Sequence, residues 1–149
     1  NERSAALRQK LEHLVQADAE AFAPLAAAYR LPKETPAQQA AKAAALEAAL
    51  DGACTVPLDI LEACGEGIAL AAEYAEKGSV LAVSDAGCAA LFCKAAMEAA
   101  GLNVSINTRL MADRAKANAF HARADALLAE YAPLADKLYA KLAHQLREE

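Results

Sequence analysis

Three groups of polar residues interrupt otherwise apolar, helix-like segments of this sequence. Asp18 stands where the apolar stripe of the first segment predicts a hydrophobic residue. Asp85 follows Ser84 at the start of a later segment, where a carboxylate tends to stay ionised and can act as a hydrogen-bond acceptor or general base. Asn103 and Asn107 are four residues apart and share one helix face. Their amides donate and accept hydrogen bonds, so the pair suggests the polar lining of a binding site.

Each group also has a purely structural interpretation. Asp18 could be satisfied by a neighbouring amide or lysine, or the stripe could be rotated so that Asp18 meets water. Ser84 is typical of a helix cap, and Asp85 in the first turn would offset the helix macrodipole. The two asparagines could mark a helix end or bond between helices. The residue types alone leave these alternatives open.

Composition restricts the classes of fold and partner. The chain has 149 residues, enough for one domain with a sizeable core. Fifteen basic against twenty acidic residues give a net charge of −5, which predicts neither a nucleic-acid partner nor an anionic membrane partner. There are 43 alanines and only seven aromatic residues, so a mainly β domain is excluded and an all-α fold is expected.

No pattern in the sequence predicts a metal site, a redox motif or a membrane span. The cysteines lie among alanines and leucines without zinc or CxxC spacing, so we expect small buried hydrophobes in a cytoplasmic protein. The histidines are isolated, and no run of eighteen charge-free apolar residues or signal peptide occurs. These cysteines and histidines are Cys54, Cys64, Cys88 and Cys93, and His13, His121 and His144.

The first half of the chain predicts two or three helices. The first runs over about residues 5–30, and Pro24 should kink it or mark a break. The next begins at Thr35, where Pro36 and Gln38 complete a capping box. Gly52 and Pro57 either separate this helix, 36–50, from another over 56–77 or bend one long helix, and the pattern does not distinguish these possibilities.

The second half predicts two further helices. Ser84 is expected to cap one that continues to about residue 107. The last should run over about 113–147 with heptad-like apolar spacing and a bend at Pro133. The expected architecture is therefore an all-α antiparallel bundle of about five long helices.

Taken in order, five short segments resemble the formiminotransferase-cyclodeaminase family, specifically its cyclodeaminase domain and the free-standing methenyltetrahydrofolate cyclohydrolases similar to it. The resemblance covers roughly residues 5–125. Each segment is short, but their order and spacing together are specific. The segments are Asp18-Ala19-Glu20-Ala21-Phe22, Tyr29-Arg30-Leu31-Pro32-Lys33-Glu34-Thr35, Val56-Pro57-Leu58, Ser84-Asp85 and Asn103-Val104-Ser105-Ile106-Asn107.

The resemblance implies an all-helical homodimer with a folate site near the subunit interface. It implies one of two reactions: closure of 5-formiminotetrahydrofolate with release of ammonia, or hydrolysis of 5,10-methenyltetrahydrofolate to 10-formyltetrahydrofolate. Both reactions pass through a tetrahedral carbon between two folate nitrogens. They require proton transfers without a metal or redox cofactor.

The resemblance also suggests roles for individual residues. Asp18 and Asp85 would be the carboxylates that move protons or anchor the pterin. Asn103 and Asn107, with Ser84, would bind substrate or position water. Lys33 would meet the glutamate tail or balance a carboxylate.

The chain departs from the family pattern at two places. It lacks the glycine-rich segment that opens the family's first helix, and Gly78-Ser79 stands where the family tends to have Gly-Asn. We therefore expect a single helical domain over residues 1–149 without that N-terminal helix. Because such a domain lacks a formiminotransferase partner, the cyclohydrolase reaction is slightly favoured.

A non-catalytic helical dimerisation or scaffold module is the competing hypothesis. Its polar residues would be exposed or paired with one another. In an enzyme they would converge on a pocket.

Overall fold

The computed structural model describes residues 2–148, and within that range it contains helices and no strand. The helices are α1 (Glu2–Tyr29), α2 (Pro36–Lys77), α3 (Val83–Thr108) and α4 (Arg114–Glu148), with a short 3₁₀ turn, Val80–Ala82, before α3. The predicted all-α class is confirmed. The prediction of about five long helices is wrong because residues 36–77 form one helix in place of two.

The start of α2 follows the local sequence signals. The Gln38 backbone N–H donates to Thr35 Oγ1 at 3.2 Å, and the Thr35 N–H donates to Gln38 Oε1 at 3.1 Å. This reciprocal pair is the predicted capping box, with Pro36 opening the helix. The helix then continues through Gly52 and Pro57, so the alternative of one long helix is the correct one.

Helix α2 is the centre of the molecule, since α1, α3 and α4 all pack against it. The larger core cluster joins α2, α3 and α4 around Leu61, Ile68 and Met97, each of them fully buried. A second cluster joins the other end of α2 to α1 and to the start of α4 around Leu25 and Leu50. Salt bridges Arg3–Glu73 (2.6 Å) and Lys10–Glu66 (2.9 Å) join α1 to α2.

The start of α3 differs from the prediction. Its N-cap is Ala82, which makes no side-chain capping bond, so the expected cap at Ser84 is wrong. The physical reason is the preceding 3₁₀ turn, in which the Ala82 N–H already bonds to the Ser79 carbonyl at 2.9 Å. Ser84 therefore lies inside the first turn of the helix, and its side chain is exposed.

The cysteines follow the prediction in part. Cys54 and Cys64 are buried and Cys93 is half-buried, but Cys88 is exposed, so its predicted burial is wrong. Cys88 lies on the outer face of α3, which is apolar although it faces solvent. Among the described residues α3 is the one helix long and apolar enough by composition to cross a bilayer, and 22% of its apolar window is buried. In α1 the helix continues through Pro24, so the predicted alternative of a break at that residue does not occur.

Candidate functional site

Helices α1 and α3 lie on either side of α2 and form the walls of a groove, with α2 as its floor. At one end the groove is a largely apolar cavity of about 600 Å³ between residues 4–15 of α1, residues 67–78 at the end of α2 and residues 82–93 at the start of α3. At the other end is a smaller cleft of about 200 Å³. The order of the lining residues shows that α1 and α3 both run antiparallel to α2.

The smaller cleft contains three of the six residues that the sequence nominated. Asp18, Asn103 and Asn107 line it together, so residues from two separate segments converge. The remaining wall is apolar or backbone and consists of Phe22, Ala53, Pro57 and Ile106. We take this cleft as the candidate site.

Asp18 is half-buried and has no hydrogen-bond or ion-pair partner among the described residues. The interpretation of a carboxylate satisfied by a neighbouring amide or lysine is therefore wrong, whereas the partial exposure of Asp18 agrees with the alternative in which it meets water. An unpaired carboxylate on the wall of a cleft is costly unless water or a ligand solvates it. Asp18 is thus available to bind a donor or accept a proton.

The two asparagines have different environments. Asn107 is half-buried, and its Nδ2 donates to the Ala53 carbonyl at 2.7 Å. Asn103 is exposed at the rim of the cleft, so the helix face that the two asparagines share is half-buried at Asn107 and open at Asn103. The two residues are about one helical turn apart, with Asn103 at the rim of the cleft and Asn107 in contact with α2.

Asp85 lies at the opposite end of the groove, where it lines the larger cavity. Asn103 is 18 positions further along the same helix, a distance of about 27 Å along the axis of α3. Asp85 is exposed, and within one chain it does not reach the cleft that holds Asp18. The predicted carboxylate pair is therefore not assembled in a single copy.

Ser84 and Lys33 are not brought to either end of the groove. Both are exposed, and Lys33 lies in the loop between α1 and α2, where its carbonyl accepts a hydrogen bond from Gln39 Nε2 at 3.0 Å. Ser84 points away from the α1 side of α3, since it is one residue before Asp85 and 100° around the helix from it.

Neither the core thiol of Cys64 nor the cavity-lining thiol of Cys93 is activated. Burial raises the pKa of the Cys64 thiol to about 11, and burial also raises the pKa of Cys93, which lines the larger cavity. Both are therefore poor nucleophiles. Within residues 2–148 no three His, Cys, Asp or Glu side chains are grouped so that they could hold a metal ion.

Three further residues of the cleft lie in the family-like segments but were given no role in the site: Phe22, Pro57 and Ile106. Phe22 was named only as the last residue of the segment that begins at Asp18, and it is 59% exposed. The sequence signal for Phe22 was its spacing of four residues from Asp18, because that spacing places both side chains on the same face of α1. Pro57 was considered as a possible helix break and as part of a family-like segment.

The fold and the cleft together define an all-helical protein with an unpaired carboxylate facing two amides. Comparison with known proteins gives the family: the formiminotransferase-cyclodeaminase sequence profile matches residues 1–126. The chain therefore belongs to the formiminotransferase-cyclodeaminase family.

Relatives include a methenyltetrahydrofolate cyclohydrolase of Methylorubrum extorquens, which is 41% identical over 138 residues, or 93% of this chain and 66% of that protein. The formimidoyltransferase-cyclodeaminase of Mus musculus is 36% identical over 121 residues, or 81% of this chain and 22% of that protein. The chain thus spans about two thirds of the first relative's length and about a fifth of the second's.

Proposed function

We propose that this protein is a folate one-carbon enzyme that hydrolyses 5,10-methenyltetrahydrofolate to 10-formyltetrahydrofolate or closes 5-formiminotetrahydrofolate with release of ammonia. The observation that carries this proposal is the unpaired Asp18 carboxylate in a cleft with Asn103 and Asn107. The cyclohydrolase reaction is the favoured one, because the relative so named matches 93% of this chain.

The cleft supplies the groups that the hydrolysis requires. Water adds to the methenyl carbon and loses a proton to a carboxylate, which we assign to Asp18. The carbon–N5 bond then breaks as N5 takes up a proton and the hydroxyl on that carbon loses its proton to become the formyl C=O, so the net products are the 10-formyl compound and one proton. In the cyclodeaminase reaction N10 attacks the formimino carbon and gives up its own proton, the resulting amino group is protonated, and ammonia leaves as the methenyl bridge forms. The amides would hold the tetrahedral carbon's oxygen or nitrogen.

The size of the cleft bears on the remaining roles. Ligand pockets usually enclose about 300–1,000 Å³, whereas this cleft holds about 200 Å³. It accommodates a ring, not a whole folate, so other surfaces must complete the site. We propose Asp85 as the second carboxylate, with Ser84 and Lys33 binding more distant parts of the substrate.

Turnover of 5,10-methenyltetrahydrofolate tests the proposal. Its absorbance decay at neutral pH should be faster with the protein than the spontaneous hydrolysis. Asp18→Asn should lower kcat/KM about 100-fold or more, since it removes the proton acceptor but keeps the shape. Asp125→Asn, at an exposed carboxylate on α4, is the matched control and should retain wild-type activity.

The outcomes separate the candidate functions. No acceleration with either the methenyl or the formimino substrate would contradict the enzyme proposal and favour the scaffold module. Full activity in Asp18→Asn would remove Asp18 from its role.

We also propose that the protein is a homodimer formed through the outer face of α3. This face is exposed and apolar, with Phe92 and Leu102 77% and 71% exposed. Between them lie the small residues Ala95 and Ala99. Small residues at the centre and large ones at equal distances on either side form a self-complementary surface, as a twofold interface requires.

Sedimentation velocity tests the dimer. Phe92→Asp should convert the dimer to monomer, because it places an unpaired charge in a buried apolar contact beside the centre of the interface. Leu146→Asp, at an exposed apolar residue near the end of α4, should leave the dimer intact. A wild-type monomer at micromolar concentration would contradict this proposal.

The four cysteines are free thiols, which is consistent with a reducing compartment, and we propose that the protein is located in the cytoplasm.

A further inference from the structure

Pro57 interrupts the hydrogen-bond ladder of α2 at the floor of the cleft. Proline has no N–H, so the carbonyl four residues before it, that of Ala53, loses its helical partner. Pro57 and Ala53 are both buried, so water does not readily replace that partner. The structure fills the gap with a side chain from another helix, since Asn107 Nδ2 donates to the Ala53 carbonyl at 2.7 Å.

The other two helix-interior prolines show that this arrangement is specific. Pro24 in α1 and Pro133 in α4 are exposed, and their free carbonyls belong to Glu20 and Ala129. Among the described residues no side chain donates to either carbonyl. Pro57 alone combines burial with an amide from α3.

This bond fixes how Asn107 faces the cleft. Only the NH₂ group of the amide can donate a hydrogen bond to a carbonyl, so the positions of Nδ2 and Oδ1 in the Asn107 side chain are determined. Asn107 Oδ1 remains without a protein partner among the described residues. Together with the unpaired Asp18 it gives the cleft two acceptor groups.

We infer that Pro57 is a positioning residue that locks Asn107 with Oδ1 as its free acceptor, so that Asn107 binds a hydrogen-bond donor of the ligand. This inference rests on the proposed function, in which that donor is the hydroxyl or amino group on the tetrahedral carbon. Pro57 acts through Asn107 and not on the reacting atoms. In Pro57→Ala the new backbone N–H bonds to the Ala53 carbonyl and displaces Asn107.

A double-mutant cycle in thermal stability tests the link without reference to activity. Asn107→Asp sets a carboxylate against the unpaired Ala53 carbonyl, so in the wild-type background Tm should fall by about 5 °C or more. In the Pro57→Ala background the carbonyl is already paired, and the fall should be at most about half as large. Asn103→Asp, one turn earlier and without a carbonyl partner, should lower Tm equally in both backgrounds.

Two further readouts distinguish positioning from a change in the cleft wall. The Asn107 side-chain NH₂ resonances should show slow solvent exchange in the wild type and fast exchange in Pro57→Ala. With 5,10-methenyltetrahydrofolate, Pro57→Ala should lower kcat/KM about tenfold, while Pro24→Ala and Pro133→Ala stay near the wild-type value.

The failures of the two proposals are distinguishable. Equal effects of Asn107→Asp in both backgrounds, or unchanged NH₂ resonances in Pro57→Ala, would overturn the inference even if the enzyme is active. Unchanged kcat/KM in Pro57→Ala with altered resonances would also overturn it, because Asn107 would be mobile without consequence. Lack of turnover by the wild-type protein would overturn the proposed function, although the coupling in stability would still be observed.

Discussion

One lysine stabilises the junction between the first two helices. Helix α1 has no basic residue in its last turn, and Lys42 from α2 supplies the charge: its Nζ donates to the carbonyls of Tyr29 at 2.7 Å and Leu31 at 2.9 Å. We expect Lys42→Met to lower the free energy of unfolding by about 1 kcal/mol, measured by urea titration, because those carbonyls lose a charged donor. Lys137→Met, at an exposed α4 residue, should change it little. Equal losses in both variants would contradict this role.

At the residue scale, the success of prediction follows sequence separation. The capping box of Thr35 and Gln38 was predicted because its partners are three residues apart. The bond from Asn107 to the Ala53 carbonyl joins residues 54 positions apart. Its existence depends on how α3 packs on α2, which no local pattern contains. Asp18 was nominated because a carboxylate broke an apolar stripe, and its lack of a partner became visible only in three dimensions.

The packing of α2 against α4 depends on one glycine. A Cβ added to Gly65 would lie 2.5 Å from Cδ2 of the Tyr131 ring, well inside van der Waals contact. We expect Gly65→Ala to lower the free energy of unfolding by about 1–3 kcal/mol, because the ring must move in a packed core. Gly52→Ala is the control in the same helix. Nothing lies within 4 Å of its added Cβ, so it should raise stability by about 0.5–1 kcal/mol. Thermal unfolding of both variants measures the difference, and a stabilised Gly65→Ala protein would refute the close approach.

At the element scale, periodicity predicted the helices well and their interruptions poorly. Gly52 and Pro57 weaken a helix locally, yet α2 passes through both. Packing on three other helices and the bond from Asn107 outweigh the local cost. Ser84 shows the reverse case: a good capping residue lies two residues too late, because the 3₁₀ turn has already started the helix.

At the scale of the whole molecule, the groove separates Asp18 and Asp85, but an antiparallel dimer would bring them together. The outer face of α3 is symmetric about residue 97, with Phe92 matched by Leu102 and Cys88 by Ile106. A twofold axis at residue 97 would place each Asp85 level with position 109 in the partner subunit. That position is two residues, or about 3 Å along the helix axis, from Asn107 of the partner subunit. Both residues then face the same side of the helix pair, where the groove lies. The cleft that is too small in one copy would thus be completed by the second.

Mixing two inactive variants tests this shared site. If Asp85 acts in the partner subunit's cleft, a dimer of one Asp18→Asn chain and one Asp85→Asn chain contains one intact site. After unfolding and refolding of an equal mixture, about half of the dimers are mixed, so activity should recover to about a quarter of the wild-type value. If both carboxylates act in the same chain, every site in the mixture lacks one of them and no activity returns. A chain carrying both substitutions provides the control, because no mixture of it with either single variant contains an intact site.

Oxidation of Ile106→Cys with diamide adds a readout independent of turnover: the new thiol should form a disulfide with Cys88 of the partner subunit, and Cys88→Ser should abolish that link. Cross-linking without recovery of activity would support the antiparallel dimer and remove Asp85 from the site.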